Sequence, residues 1–155
     1  MKKRELWLGI NTRNTKEACK KYGIYAIINT VNDKIYIGST ISSFKNRWYS
    51  HSYNLRKNKH TNGFLQNMWN DYGKEVFEFY ILEVLNTKDN IFKREQYYMD
   101  NYDTVYPNGY NIAPIAGVFI GNENIPRNKY ELGDKYNFIK PYLILNRMNS
   151  VMRMV

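Results

Sequence analysis

From Tyr22 to Ile28 most residues are β-branched or aromatic, and the same texture returns from Lys34 to Ser39 after a polar stretch around Asn32-Asp33. Two such runs flanking a turn predict a β-hairpin. With a two-residue loop at Asn32-Asp33, Tyr25 stands opposite Thr40. Tyr25, Ile27, Tyr36 and Gly38 then share one face, and Ile24, Ala26, Ile28, Ile35 and Ile37 share the other. The aliphatic face is expected to be core, which leaves the tyrosine face for another task.

Beyond Thr40 the period changes. Phe44, Trp48 and Leu55 recur at helical spacing, predicting a helix from Phe44 to about Asn54 with Ser42 or Ser43 as N-cap. Arg47 and His51 lie one turn apart on an adjoining stripe. A second helix is predicted from Asn62 or Gly63 to Tyr72, with Phe64, Leu65, Met68, Trp69 and Tyr72 inward and Gly73 as its stop. The segment from Glu75 to Leu85 is too densely apolar for a half-exposed strand and reads as the central, doubly covered one. Thr87 is the expected cap of a third helix running to about Asn101, carrying Ile91, Phe92, Glu95, Tyr98, Met99 and Tyr102 on one side. Pro107-Asn108-Gly109 forms a turn, and Tyr110 to Ala113 adds a short segment. A short helix is expected near Asn137 to Asn146, with no evident place on the fold. The expected class is α+β, a small three-stranded, mainly antiparallel sheet flanked by helices.

Composition narrows the function. At 155 residues the chain fits one domain with a real core, and 23 Lys+Arg against 14 Asp+Glu give a net charge of +9. Such a field attracts polyanions, and 15 tyrosines supply rings and hydroxyls suited to bases and phosphates. The single cysteine, Cys19, excludes an internal disulfide and a multi-thiolate zinc site. No apolar run approaches the roughly 18 residues of a membrane span, and the basic start leads into no signal-peptide core. The expectation is a soluble intracellular protein, a monomer or weak dimer, with nucleic acid rather than membrane as its partner.

Between Lys34 and Asn70 there are six Lys/Arg residues, two histidines and no acid. Lys34, Lys45, Arg56, Lys57 and Lys59, interleaved with Trp48, Tyr49, Tyr53 and Trp69, suit a phosphate-tracking surface. Glu95 is the opposite case, a carboxylate within an apolar helical stripe, costly unless paired or metal-bound. Pattern alone leaves two readings of it: an ion pair with a core-facing cation such as Arg47, or ligation of a hard cation, for which one or two carboxylates suffice.

Gly23-Ile24-Tyr25, then ten residues, then Tyr36-Ile37-Gly38-Ser39, is followed by Arg47-Trp48-Tyr49-Ser50-His51, by His60 in Lys59-His60-Thr61, by Glu95 in Arg94-Glu95-Gln96, and by Asn111 in Gly109-Tyr110-Asn111-Ile112-Ala113. This ordered set resembles the GIY-YIG nuclease superfamily, closest to the catalytic domain of phage and intron-encoded homing endonucleases. The resemblance covers about Tyr22 to Ala113. It divides the chain into a basic extension at 1–21, a catalytic domain at 22–113 and a C-terminal extension at 114–155, in which nothing resembles the recognition modules of homing enzymes.

The resemblance implies a DNA endonuclease using Mg²⁺ or Mn²⁺ and no small-molecule cofactor. By it Tyr25 is the expected general base, with Tyr36 holding the attacking water or replacing Tyr25. Arg47 grips the scissile phosphate, His51 orients Tyr25 or relays its proton, and His60 assists. Glu95 binds the metal, and Asn111 buttresses the site. The competing expectations are a catalytically silent nucleic-acid-binding module and a decayed mobile-element product.

Overall fold

The computed structural model describes residues 15–117. In it β1 (Gly23–Asn29) pairs antiparallel with β2 (Ile35–Thr40), and the hairpin loop is longer than two residues. Tyr25 stands opposite Gly38, two positions short of the Thr40 partner that an Asn32-Asp33 loop requires. The cause is local. The side chains of Asn29 and Asn32 accept from the N–H groups of Val31 and Lys34, and Asp33 takes φ of 57°, so these turns replace the last ladder bonds. A shift of two residues leaves every side chain on its expected face.

The sheet order is β2-β1-β3, with β3 (Phe77–Val84) also antiparallel to β1. The central strand is therefore β1, all of it buried, and not the segment from Glu75 to Leu85. The apolar density of β3 reports cover on both of its faces; Glu78, Phe79, Glu83 and Val84 are only partly buried and one long edge carries no strand. Leu82 is an extra residue in the β1 register, since Ile24 faces Glu83 while Tyr25 faces Ile81. Gly23, at φ 149°, is required there, because a Cβ would sit 2.0 Å from the Glu83 carbonyl oxygen.

Helix α1 (Phe44–Arg56) is capped by Ser43, whose hydroxyl accepts from Asn46 N–H, and α2 (Gly63–Tyr72) by Asn62, whose side chain accepts from Leu65 N–H. The last helix, α3 (Ile91–Tyr102), starts later than the expected Thr87 cap, after Asn90 in a left-handed conformation. Residues 86–90 are all exposed, and Ile91 is the first after them with a place in the core. No earlier turn has apolar contacts to hold it.

Helix α3 covers the aliphatic face, where Ile24, Ala26, Ile28, Ile35 and Ile37 meet Ile91 and Met99. On the other face Tyr25, Ile27 and Ile81 pack with Phe44 and Leu55 of α1, Leu65 of α2, and Tyr110. Each fully buried aliphatic side chain contributes roughly 1.5–3 kcal/mol. The chain after α3 then returns to close the free edge of β2. Tyr110 N–H donates to Ile35 O, while the Asn111 side chain accepts from Ile37 N–H and donates to Ile37 O, each at 2.8 Å. One amide side chain thus satisfies edge groups that a further strand would otherwise have to satisfy.

Among the described residues no helix is long and apolar enough to cross a membrane, and Cys19 is a free thiol. Residues 1–14 and 118–155, including the helix expected at 137–146, lie outside the described residues.

Candidate active site

Because neighbouring residues of β2 point to opposite faces, its edge can be reached from both sides of the sheet. Tyr36 leaves on the tyrosine face and Ser39 on the aliphatic one. Here lies a cavity of about 100 Å³, whose lining includes Tyr36, Arg47, His51, His60, Glu95 and Asn111. The structure therefore brings together residues from β2, α1, α3 and two loops. Tyr25 is placed immediately behind this wall, fully enclosed, while Tyr36 is part of the lining.

A continuous hydrogen-bonded chain runs through the tyrosine face. Arg47 Nε–H donates to Tyr25 Oη at 3.0 Å, and Tyr25 Oη lies 2.6 Å from His51 Nε2. His51 Nδ1 lies 2.7 Å from His60 Nε2, and Asn62 N–H donates to His60 Nδ1 at 3.1 Å. Tyr36 stands beside this chain, its ring centroid 6.4 Å from that of Tyr25 and 5.7 Å from that of His51. Gly38 makes this possible: a Cβ there would sit 2.5 Å from Tyr25 Oη and 2.9 Å from the Tyr36 ring. The glycine of the second motif leaves room for the tyrosine of the first.

Three positioning groups carried no role in the sequence. Gln66, 6 % exposed, accepts from His60 N–H at 3.1 Å and donates to Leu55 O at 2.9 Å, tying the His60 loop to the end of α1. Its signal was a polar residue beside Leu65, one turn from Asn62, on the inward side of α2. Asn62 was legible only as a helix start. Ser39 was visible in its motif, but its partner was not, because that partner lies on a distant helix.

Glu95 is 9 % exposed, and one of its oxygens accepts from Ser39 Oγ at 2.5 Å. Among the described residues it forms no ion pair, and Arg47 turns to the tyrosines instead. Burial raises the Glu95 carboxyl above its ordinary value, opposed by the Ser39 bond and the Arg47 charge. Burial also pushes Tyr25 well above the usual phenol value, with Tyr36 adding and Arg47 opposing. Tyr36 is raised by burial and by Glu95, with Arg47 and the neighbouring Tyr25 opposing. Both histidines move the other way. Burial, with Arg47 and His60 adding, holds His51 well below its ordinary value, and burial brings His60 to about 4 against an opposing contact with the Asn62 main chain. Both are neutral at neutral pH.

Of the five cations expected to meet phosphates, Lys45, Arg56, Lys57 and Lys59 are exposed on α1 or just after it. Lys34 is engaged within the fold, its ammonium donating to Pro107 O at 2.8 Å and lying 5.7 Å from the Phe64 ring centroid.

The described residues hold no cluster of three or more His, Cys, Asp or Glu side chains able to cage a metal ion. A hard divalent cation that keeps most of its waters needs no cage. The Glu95 carboxylate, oriented by Ser39 on the wall of a small polar cavity, fits such an ion.

A three-stranded antiparallel sheet with paired tyrosines on its hairpin, an arginine on the next helix and a carboxylate on the last defines a class of α+β catalytic domain. The GIY-YIG catalytic domain family matches residues 21–111, and the chain belongs to that family. It is similar to intron-associated endonuclease 1 of Enterobacteria phage T4, with 43% identity over 60% of this chain and 37% of that protein. It is also similar to probable intron-encoded endonuclease 1 of Neurospora crassa, with 30% identity over 82% of this chain and 44% of that protein. The chain thus spans less than half the length of these two relatives. Among solved structures, the catalytic domain of the homing endonuclease I-TevI matches 60% of this chain and 99% of its own, at 41% identity and a TM-score of 0.55. The fold expected from the sequence is the one found, and family membership implies use of a divalent metal ion.

Proposed function

We propose that the chain is a DNA endonuclease that hydrolyses phosphodiester bonds with Mg²⁺ or Mn²⁺, leaving 5′-phosphate and 3′-hydroxyl ends. The observation that carries this reading is the convergence of Tyr36, Arg47 and Glu95 on one cavity from three separate elements. Its volume of about 100 Å³ has room for a few waters, at roughly 30 Å³ each, and not for a ligand needing some 300 Å³. That suits a phosphate presented from outside and no small-molecule cofactor.

Hydrolysis needs a proton acceptor for water, a counter-charge for the phosphate oxygens and stabilisation of the leaving 3′ oxygen. The tyrosine pair supplies the acceptor. Arg47 gives its Nε–H to Tyr25 and keeps its terminal N–H groups for the phosphate, a forked donation that lysine cannot reproduce. Glu95 holds the divalent ion, which when bound offers positive charge to the phosphate and the leaving oxygen. Asn111 braces β2 through its two main-chain bonds, keeping Tyr36 in register. Lys45, Arg56, Lys57 and Lys59 contact flanking phosphates without reading bases. In this reading residues 22–113 are the catalytic unit of an intracellular, monomeric or weakly dimeric nuclease, with a basic extension at 1–21 and a further extension at 114–155.

Incubation with supercoiled plasmid tests the proposal. Nicked circles are expected with Mg²⁺ or Mn²⁺ and none with a chelator. A silent binding module would retard the plasmid in a gel and leave it supercoiled with either metal.

A further inference from the structure

We infer that Gln66 and the start of α2 set the direction of a one-way hydrogen-bond chain, in which His60 and His51 are fixed donors and the Tyr25 hydroxyl, at its end, is a double acceptor. The direction follows from one main-chain group. Asn62 N–H points at His60 Nδ1, so that nitrogen carries no proton. Neutral His60 therefore bears its proton on Nε2 and donates to His51 Nδ1. His51 in turn bears its proton on Nε2 and donates to Tyr25 Oη. Reversing any link would set a second proton against the Asn62 N–H. Every ring nitrogen of the pair is engaged, so flipping either ring would put a carbon in place of a donor or acceptor.

Tyr25 Oη now receives two donors, His51 Nε2–H and Arg47 Nε–H. Its own proton must therefore point away from both donors. Tyr36, its ring centroid 6.4 Å from that of Tyr25, lines the cavity. His51 is thus a donor to Tyr25 and not an acceptor of its proton. His51 and His60 are positioning residues, and the hydroxyl they orient is that of Tyr25.

The chemical step rests on the nuclease reading. One tyrosine of the pair takes a proton from the attacking water while passing its own to solvent through the cavity, as the O–P bond forms and the bond to the 3′ oxygen breaks, and the departing 3′ oxygen takes a proton from solvent. The groups facing Tyr36 are Tyr25 on β1, Arg47 and His51 on α1, and Glu95 on α3. Gln66 matters because it fixes the His60 main chain to Leu55 O, one turn beyond His51, and so sets the spacing of the two rings.

Nitrogen-15 NMR of the metal-free full chain reads the direction without any cleavage assay. Both histidines should show protonated Nε2 and bare Nδ1 at pH 7. A proton on Nδ1 of either ring overturns the inference. Gln66→Met, of similar length and without hydrogen-bonding groups, should disturb the tautomer of His60. It should also lower kcat roughly tenfold to a hundredfold with KM little changed, and move the alkaline limb of the pH profile upward. Gln66→Glu, which keeps the acceptor for His60 N–H, should restore part of the rate. Wild-type tautomers, rate and pH profile in Gln66→Met would also overturn it. If wild-type protein cuts no plasmid, the nuclease reading fails, while the tautomers still decide the direction of the chain.

Discussion

Ile24, Ala26, Ile28, Ile35 and Ile37 leave the hairpin on one side, and Tyr25, Ile27, Tyr36 and Gly38 leave the same two strands on the other. The first set touches α3 through apolar contacts of no particular direction. The second holds a directed network in which each ring depends on the orientation of the next. Apolar packing tolerates a change of shape and charges for lost volume. A polar network tolerates neither a missing donor nor a reversed one. The active site belongs wholly to neither side. It forms where the edge of β2 lets Glu95, from the helix over the aliphatic face, meet Arg47 and Tyr36 from the other.

The largest effect should come from the one residue that crosses this division. Glu95→Gln keeps the shape and can still accept from Ser39, but it removes the charge that holds a hard cation. Plasmid cleavage should fall by on the order of a thousandfold or more at any Mg²⁺ concentration, as expected when several kcal/mol of charge stabilisation are lost. Since the carboxylate is buried without an ion pair, its melting temperature should hold or rise. Near wild-type cutting by this variant would place the metal elsewhere.

Ile28→Ala should do the reverse. Ile28 is 1 % exposed against α3, and its truncation should cost roughly 2–5 kcal/mol of stability. Cleavage per folded molecule should stay close to wild type, because the cavity does not include this residue among its walls. Denaturant unfolding beside a plasmid assay checks both halves. A variant that keeps its stability but loses activity would show that the two faces are coupled.

This division also explains what could be read from the sequence. The faces of the hairpin, the helix stop at Gly73 and the oddity of Glu95 were legible because period, turn chemistry and isolated polarity are local signals. The hairpin register was misjudged because two Asx turns, at Asn29 and Asn32, outweighed the two-residue loop. The strand at 77–84 looked central because cover on both faces raises apolar density without revealing which edge is paired. The bonds of Gln66 to His60 and Leu55, and of Ser39 to Glu95, depend on the tertiary approach of segments, and no spacing along the chain announces them.

The smallest predicted effect distinguishes the faces by pH alone. His51 and His60 are buried and neutral, the latter with a value of about 4, whereas an unfolded histidine titrates near 6.5. Their folded values are depressed, so below 6.5 the unfolded chain binds protons that the folded chain refuses. The stability they contribute is present above pH 6.5 and is lost as pH falls toward the folded value. From His60 alone the loss should reach about 2 kcal/mol by pH 5, read as the drop in unfolding free energy between pH 7 and pH 5. His60→Gln is the informative variant. Its amide can still donate to His51 and accept from Asn62 N–H, but it cannot take up a proton. The slope of stability against pH should therefore fall by about half a proton at pH 6.5 and by nearly one proton, about 1.4 kcal/mol per pH unit, between roughly pH 5 and 5.5. An unchanged slope would mean that His60 is free to charge in the folded protein, and the tyrosine face would then be no more sensitive to acid than the aliphatic one.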